Sequence, residues 1–172
     1  LHISGFSLTD GSVVAVGALA GLKNLRLGRG AFHARALLRS FKDCVFSLKK
    51  LVLSLDMNGE DSPYGIVPAT QGEISEVVSA VIDSQPQLCH LELHQDNSNK
   101  SLPAPEAFCN ISSLRSLRCL LMYGLGVTLW TQQQSDEVFS HISPERLTAL
   151  KLVRIQSRVN GQAVEWFRST FK

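Results

Sequence analysis

The sequence has little excess charge of either sign and no long apolar run. Its 172 residues include 17 Lys and Arg against 15 Asp and Glu, which gives a formal net charge of +2. A charge this close to zero gives no reason to expect nucleic acid or an anionic membrane as a partner. No apolar run approaches the roughly 20 residues that span a bilayer, and signal-peptide features are missing. We therefore expect a folded, soluble protein with no membrane or nucleic-acid partner.

The common sequence motifs of catalysis and cofactor binding are also missing. Gly-x-Ser-x-Gly is absent, so nothing marks the nucleophile turn of a hydrolase. The glycines of Gly28-Arg29-Gly30 and Gly124-Leu125-Gly126 do not complete a phosphate loop or a dinucleotide fingerprint. We expect no cofactor and no enzymatic activity.

Cysteine is sparse, and no Cys-x-x-Cys pair occurs. Metal-finger spacing is therefore absent, and the density is too low for a small disulfide-rich secreted domain. These features predict reduced, mostly buried thiols in a cytoplasmic or nuclear protein. Two glycosylation triplets, which begin at Asn99 and Asn110, keep a secreted alternative open. The four cysteines are Cys44, Cys89, Cys109 and Cys119.

What the chain does contain is a recurring Leu-x-x-Leu-x-Leu pattern. Its clearest copy, residues 88–94, alternates apolar and polar residues with the period of a strand that has one buried face. The same spacing begins at Leu22, Leu48 and Leu147, and Leu1-x-Ile3 is a truncated copy. A further copy begins at Leu114 or Leu117. We favour Leu114, because an apolar residue precedes it by the seven positions found in neighbouring units.

Helical patterns lie between the predicted strands. Helices are predicted after Thr9-Asp10, over 31–42, from a Thr70 and Glu73 capping box to Pro86, and over 136–142. A last helix is predicted after Asn160, carrying Val164, Phe167 and Phe171, with Trp166 at its edge. Residues 56–71 and 97–105 are predicted loops. A helix, a link and a strand thus recur about every 24–33 residues, as in stacked α/β repeats.

These repeats resemble leucine-rich repeats, and their irregular lengths resemble the repeat regions of F-box-type proteins, particularly the divergent fungal kind. The stretch 147–155, followed by a segment containing Trp166, carries the second resemblance. It implies a single α/β leucine-rich-repeat solenoid arc over residues 1–172, with an insertion at about 56–71. Parallel strands would form the concave face and helices the convex face. Asp56, Asp96, Gly30 and Ile155 replace the family's Asn, which favours an irregular arc. Because the chain opens on what looks like the end of a repeat strand, we expect a fragment of a longer protein.

The resemblance implies a non-catalytic recognition module, the substrate-binding part of an F-box-type ubiquitin ligase receptor. A Skp1-type adaptor would bind a region outside this sequence. The alternative is a ligand-sensing or scaffolding repeat region of an immune-type receptor or assembly protein. Residues between the leucines should face outward, and one ladder across the strands would place Glu92 beside Arg118. The predicted partner-binding residues of the concave face are Asn24, Arg26, Lys50, His90, Glu92, His94, Arg118 and Lys151.

One cluster keeps a third class open, a small metalloenzyme or hydrolase. His90, Glu92 and His94 are alternate residues of one predicted strand, so their roots would lie about 6.5–7 Å apart. Zinc needs ligand atoms at about 2.0–2.2 Å, which three such residues reach only with awkward rotamers. We expect a polar strand face and no bound metal.

Overall fold

A computed structural model describes residues 1–3, 9–28, 32–58, 68–95, 103–127, 132–142, 147–159 and 162–169. Within these residues, seven strands form one open sheet whose spatial order follows the chain. The first six pair in parallel and the seventh is antiparallel to the sixth. The strands are β1 (His2–Ile3), β2 (Asn24–Leu27), β3 (Lys50–Ser54), β4 (His90–Gln95), β5 (Cys119–Val127), β6 (Leu152–Val159) and β7 (Gln162–Ser169). The predicted mixed α/β class with a parallel sheet is confirmed.

Helical segments connect successive parallel strands. They are α1 (Asp10–Gly17), α2 (Ala34–Lys42), α3 (Gln71–Ser84) and α4 (Gln132–His141). The described part of the connection between β4 and β5, residues 103–118, contains two short 3-10 turns, Pro105–Phe108 and Ile111–Ser113. None of the described helices combines the length and the apolar composition needed to cross a bilayer.

The starts predicted for α1 and α3 are confirmed by hydrogen bonds, whereas α2 begins at Ala34 and α4 at Gln132 rather than at the predicted residues 31 and 136. The Thr9 hydroxyl accepts the backbone N–H of Ser12 at 3.4 Å, which caps α1. At α3 the Thr70 hydroxyl accepts the Glu73 N–H at 3.3 Å, and the Glu73 carboxylate accepts the Thr70 N–H at 2.7 Å. This reciprocal pair is a capping box, which satisfies two N–H groups that the helix itself leaves unpaired.

The core lies between the helices and one face of the sheet. Alternate strand residues turn toward it, and α2 contributes Leu37 and Phe41. Full burial of a leucine contributes about 1.5–3 kcal/mol, so burial of the repeated leucines stabilises the fold. The strand residues of this core are Leu25, Leu27, Leu51, Leu53, Leu91, Leu93, Leu120, Met122 and Val153.

The predicted strand register is confirmed from β2 to β4 and is wrong for β5 and β6. Leu25 pairs with Leu51, and Leu51 with Leu91, as expected. Leu91 then pairs with Leu120, so the repeat that begins at Leu117 is correct and the favoured start at Leu114 is wrong. The physical reason is that the two 3-10 turns carry Leu114 into the core ahead of the strand, where it is fully buried.

The last repeat is displaced by three residues from its predicted position. Leu120 pairs with Val153, whereas Leu150 lies before β6 and is buried without being a rung of the sheet. The start predicted at Leu147 is therefore wrong, and Leu150 is the leucine that precedes this strand. Both leucines point into the core, which is why leucine spacing alone favoured the earlier register.

The predicted C-terminal helix is a strand. β7 pairs antiparallel with β6 along its whole length, from Leu152 opposite Ser169 to Val159 opposite Gln162. Branched and aromatic residues such as Val164 and Trp166 favour strands. In the sequence, Asn160-Gly161 separates the two strands, and this dipeptide is a strong hairpin signal. Asn160 and Phe171 themselves lie outside the described residues.

The two predicted loops are described only at their ends. At the first, Asn58 forms isolated bridges with His33 and Pro68, which ties both ends of the insertion to the start of α2. Its centre, 59–67, lies outside the described residues. So does 96–102, which covers most of the second predicted loop and Asp96.

Candidate binding face

One face of the sheet, called the open face here, is turned away from the core. It is formed by the strand residues that alternate with the buried leucines. Six of the predicted partner-binding residues lie on it as expected, and β5 adds three that were not predicted for it. The open face of β2 to β5 carries Asn24, Arg26, Lys50, His90, Glu92, His94, Cys119, Leu121 and Tyr123.

Exposure varies across the open face. Asn24, Arg26 and Lys50 are exposed, whereas the side chains of His90, Glu92 and His94 retain 24%, 18% and 34% of their accessible area. On β3, Val52 and Ser54 lie in the rows of the open face, as predicted, but they are buried rather than exposed. The open face therefore has exposed polar residues on β2 and at the start of β3, and half-buried polar residues on β4.

Glu92 lies at the middle of these β4 residues and bridges two imidazoles. Its Oε1 is 2.6 Å from His94 Nε2, and its Oε2 is 3.1 Å from His90 Nε2. An ionised carboxylate can only accept hydrogen bonds, so both Nε2 atoms donate. The atoms that would bind a metal are thus engaged with one another. No group of three or more His, Cys, Asp or Glu within the described residues is arranged to hold a metal ion.

The two histidines also affect the pKa of Glu92. Burial alone would raise the pKa of its carboxyl group. Hydrogen bonds from His90 and His94, together with their positive charge, outweigh burial and hold the pKa below its ordinary value. Glu92 is therefore an anion at neutral pH and orients both imidazole rings.

Cys119 is a member of this cluster that sequence reasoning missed. The corrected register places it opposite His90, on the open face. Burial and the negative charge of Glu92 raise the pKa of the Cys119 thiol, and the positive charge of Lys50 opposes them. A thiol with a raised pKa stays protonated and is a poor nucleophile. The only sequence signal was the alternative repeat start at Leu117.

An aromatic contact holds His94 from its other side. The rings of His94 and Tyr123 stack with their centroids 5.1 Å apart and an interplanar angle of 27°. Leu121, between Cys119 and Tyr123 on β5, is half-buried on the same face. Aromatic and apolar groups among polar ones are typical of surfaces that bind proteins.

Two predicted site residues, Arg118 and Lys151, do not lie on the rows of the open face where they were expected. Both are exposed, and each immediately precedes the first residue of its strand, β5 or β6. Glu92 is flanked by Val52 and Leu121, so the predicted neighbour relation between Glu92 and Arg118 is wrong. The three-residue shift in the register of β5 and β6 is the cause.

The thiols differ from their predicted burial. All four cysteines are free; Cys44, Cys89 and Cys119 are half-buried and Cys109 is exposed. The Cys109 Sγ lies 3.6 Å from the Nε2 of His141, a pair 32 residues apart in the sequence. Within the described part of the chain no carboxylate bonds to this imidazole, so the pair lacks the third group that orients a catalytic base.

The described residues therefore form an ordered polar face with an internally bonded centre. Its strongest features are the Glu92 bridge and the His94–Tyr123 stack. Comparison with family models, with curated proteins and with solved structures finds no match to this chain.

Proposed function

We propose that the chain is a non-catalytic recognition module that binds a protein or peptide on its open face. The supporting observation is the continuous parallel register from β2 to β5. It places equivalent residues of neighbouring strands side by side, so that their side chains form rows across the sheet. Because the helices pack against the opposite face, the exposed and half-buried side chains of these rows are accessible to another molecule. Leu121 and Tyr123 add apolar and aromatic surface beside Glu92.

In finer detail, we propose that the sheet and helices form a leucine-rich-repeat arc with the open face as its concave side. On this proposal the chain is the substrate-binding part of an F-box-type ubiquitin ligase receptor in the cytoplasm or nucleus. The support is the leucine spacing and its alternation with helices, which resemble those repeats. The alternative, a ligand-sensing or scaffolding repeat region, uses the same face with a different parent protein.

Site-specific photo-crosslinking in cells tests the use of the open face. A photoreactive residue at Leu121 should give a discrete crosslinked partner. The same residue at Val14, which is exposed on α1, is the matched control and should give none. The combined variant Arg26→Glu and Lys50→Glu should reduce the crosslink from Leu121, because both cations lie on the same face. Equal crosslinking from both positions would remove the open face from the proposal.

Adaptor binding distinguishes the two kinds of parent protein. The full-length protein should co-purify with a Skp1-type adaptor if the receptor proposal is correct. If the adaptor does not co-purify while the crosslink at Leu121 is retained, the result would favour the scaffolding alternative.

The proposal of a metalloenzyme is the weaker one. Both imidazole Nε2 atoms donate to Glu92, and Cys119 is a poor nucleophile because of its raised pKa. Metal analysis of the purified protein tests this alternative: zinc at one equivalent that is lost in the His90→Ala variant would revive it.

A further inference from the structure

A second row of equivalent residues crosses the sheet where its strands begin. In each case one residue's carbonyl accepts the N–H groups of two consecutive residues in the next repeat. Lys23 accepts from Lys49 at 2.7 Å and from Lys50 at 3.1 Å. The same arrangement repeats from each repeat to the next through β6. The basic row, as we call it, consists of Lys23, Lys49, Cys89, Arg118 and Lys151.

The later links of the row have the same geometry. Lys49 accepts from Cys89 at 2.8 Å, Cys89 accepts from Arg118 at 2.8 Å, and Arg118 accepts from Lys151 at 2.8 Å. Adjacent strands lie about 4.8 Å apart, so four intervals place Lys23 and Lys151 about 19 Å apart. Four of the five positions carry lysine or arginine, and Cys89 interrupts the series at its centre.

The charged side chains of the row are accessible. Lys23, Lys49, Arg118 and Lys151 are all exposed. The Lys49 ammonium donates to the neutral Gln87 side chain at 3.0 Å, and no carboxylate of the described residues forms an ion pair with any member of the row. The chain as a whole has a net charge of only +2. The row is thus a local concentration of charge, and exposed like charges at this spacing repel one another.

We propose that the basic row binds an acidic segment of the partner protein, laid across the strand starts. This inference rests on the proposed function, since it names the chemistry of part of the partner. An extended peptide advances about 3.3 Å per residue, so about six residues cover the row. The long flexible stems of lysine and arginine let each cation reach a carboxylate of such a segment.

Single-stranded nucleic acid fits the row less well. Such ligands are held by aromatic side chains on which their bases stack, in addition to basic residues. No member of the row is aromatic. The nearest aromatic residue of β5 on the open face, Tyr123, is stacked on His94 several residues along the strand. Charge without a stacking surface favours carboxylates over bases.

Fluorescence anisotropy with a labelled peptide tests the proposal. The probe is a peptide of about eight residues rich in Asp and Glu, long enough to span the row; the same peptide with Asn and Gln is the control. The acidic peptide should bind and the neutral one should not. Binding should weaken as salt rises from 50 to 300 mM, because salt screens exposed charges.

Charge reversal locates the binding. The double variant Lys49→Glu and Arg118→Glu should weaken binding of the acidic peptide about tenfold or more, because two attractions become repulsions. The matched control reverses two exposed cations of α2, Arg39→Glu and Lys42→Glu, and should leave the affinity within about twofold. Equal losses in both double variants would overturn the proposal.

A positive charge at Cys89, the uncharged position of the basic row, should strengthen binding. A misfolded variant would bind more weakly, so a gain in affinity cannot come from misfolding. Cys89→Lys places a fifth cation between Lys49 and Arg118 and should tighten binding of the acidic peptide about two- to threefold. Cys89→Ser removes the thiol without adding charge and should have no effect. No gain from the lysine would count against the row as the binding site.

The remaining outcomes separate this inference from the proposed function. Binding of a labelled oligo-dT strand as tightly as the acidic peptide would overturn the assignment to an acidic protein segment. If the acidic peptide fails to bind while the crosslink at Leu121 persists, the inference fails and the proposed function stands. If the peptide binds in the predicted way while the crosslink is absent, the open face is wrong and the basic row is retained as a binding site in its own right.

Discussion

The side-chain oxygen of Gln85 accepts the backbone N–H of Leu48 at 2.8 Å, in the interior of the protein. Gln85 follows the last residue of α3 and is completely buried, and Leu48 precedes β3. The amide nitrogen of Gln85 donates to the Ser84 hydroxyl at 3.2 Å and contacts the Cys44 sulfur at 3.1 Å. The Gln85 side chain therefore joins two successive repeats. It also accepts a hydrogen bond from the backbone N–H of Leu48, which water cannot reach.

Replacing Gln85 with leucine should destabilise the protein by about 1–3 kcal/mol, because the N–H of Leu48 would be left buried without a partner. Urea denaturation at neutral pH measures the loss. Gln87→Leu is the control, since Gln87 is exposed, and should change the free energy of unfolding by less than about 0.5 kcal/mol. Equal stability of the two variants would show that the buried bond contributes nothing.

The capping box of α3 gives a second prediction. Thr70→Ala removes the hydroxyl that accepts the Glu73 N–H and should lower the free energy of unfolding by about 0.5–2 kcal/mol. Thr70→Ser keeps the hydroxyl and should retain most of the stability. Thermal unfolding followed by circular dichroism compares the two. A serine variant as unstable as the alanine variant would assign the effect to the lost methyl group.

Much of the fold was predictable because its signals are local and redundant. The register from Leu25 to Leu51 to Leu91 follows from one spacing of leucines repeated three times. The α3 start follows from Thr70 and Glu73 alone. Each of these features depends on a short pattern that is complete within one repeat, and the register follows from aligning copies of that pattern.

The errors arose where two local patterns compete. Repeat starts at Leu114 and Leu117 both satisfy the leucine spacing, and both leucines are buried. The choice depends on how the 3-10 turns pack against the neighbouring repeat, which the spacing does not encode. In the same way, the spacing of Val164 and Phe167 fits the period of a helix, whereas branched and aromatic residues prefer strands.

The sequence predicted which face carries the candidate site, but it did not predict the hydrogen bonds and contacts among the site residues. Alternation placed His90, Glu92 and His94 on one face, and they do lie there. The direction in which the Glu92 carboxylate turns depends on rotamers and on the neighbouring strand. Cys119 and Tyr123 joined the cluster only through the corrected register of β5.

Two glycines of α1 should respond oppositely to alanine. A Cβ at Gly17 would lie 3.0 Å from the backbone oxygen and from the hydroxyl of Ser40 on α2. That hydroxyl already donates to the Val13 carbonyl at 3.0 Å, so α2 has little freedom to yield. Gly17→Ala should therefore destabilise the protein by about 1 kcal/mol or more, in the range of overpacked sites.

Gly11 is the matched control for this close approach. A Cβ there would meet only the Thr9 hydroxyl at 3.9 Å, an ordinary contact. Gly11→Ala should stabilise the protein by up to about 1 kcal/mol through helix propensity. Urea denaturation of both variants checks the opposite signs; stabilisation by alanine at Gly17 would mean that α1 and α2 can separate without cost.

The Glu92 bridge predicts a pH-dependent contribution to stability. Glu92→Gln keeps the shape of the side chain and removes its charge, so it should cost about 0.5–1.5 kcal/mol at pH 7. The pKa of Glu92 is lower in the folded protein than its ordinary value of 4.5, so its stabilising effect is fully present above that value. That effect is lost as the pH falls through the lower folded pKa.

Urea denaturation of the wild type and of Glu92→Gln at pH 7, 5 and 3 measures this dependence. The difference in the free energy of unfolding should be largest at pH 7 and pH 5 and smallest at pH 3. Glu76→Gln is the control, because Glu76 is exposed on α3 and should show a small difference at every pH. A Glu92→Gln difference that grows toward pH 3 would mean that the carboxylate is destabilised by its surroundings, and that the two imidazoles do not donate to it in solution.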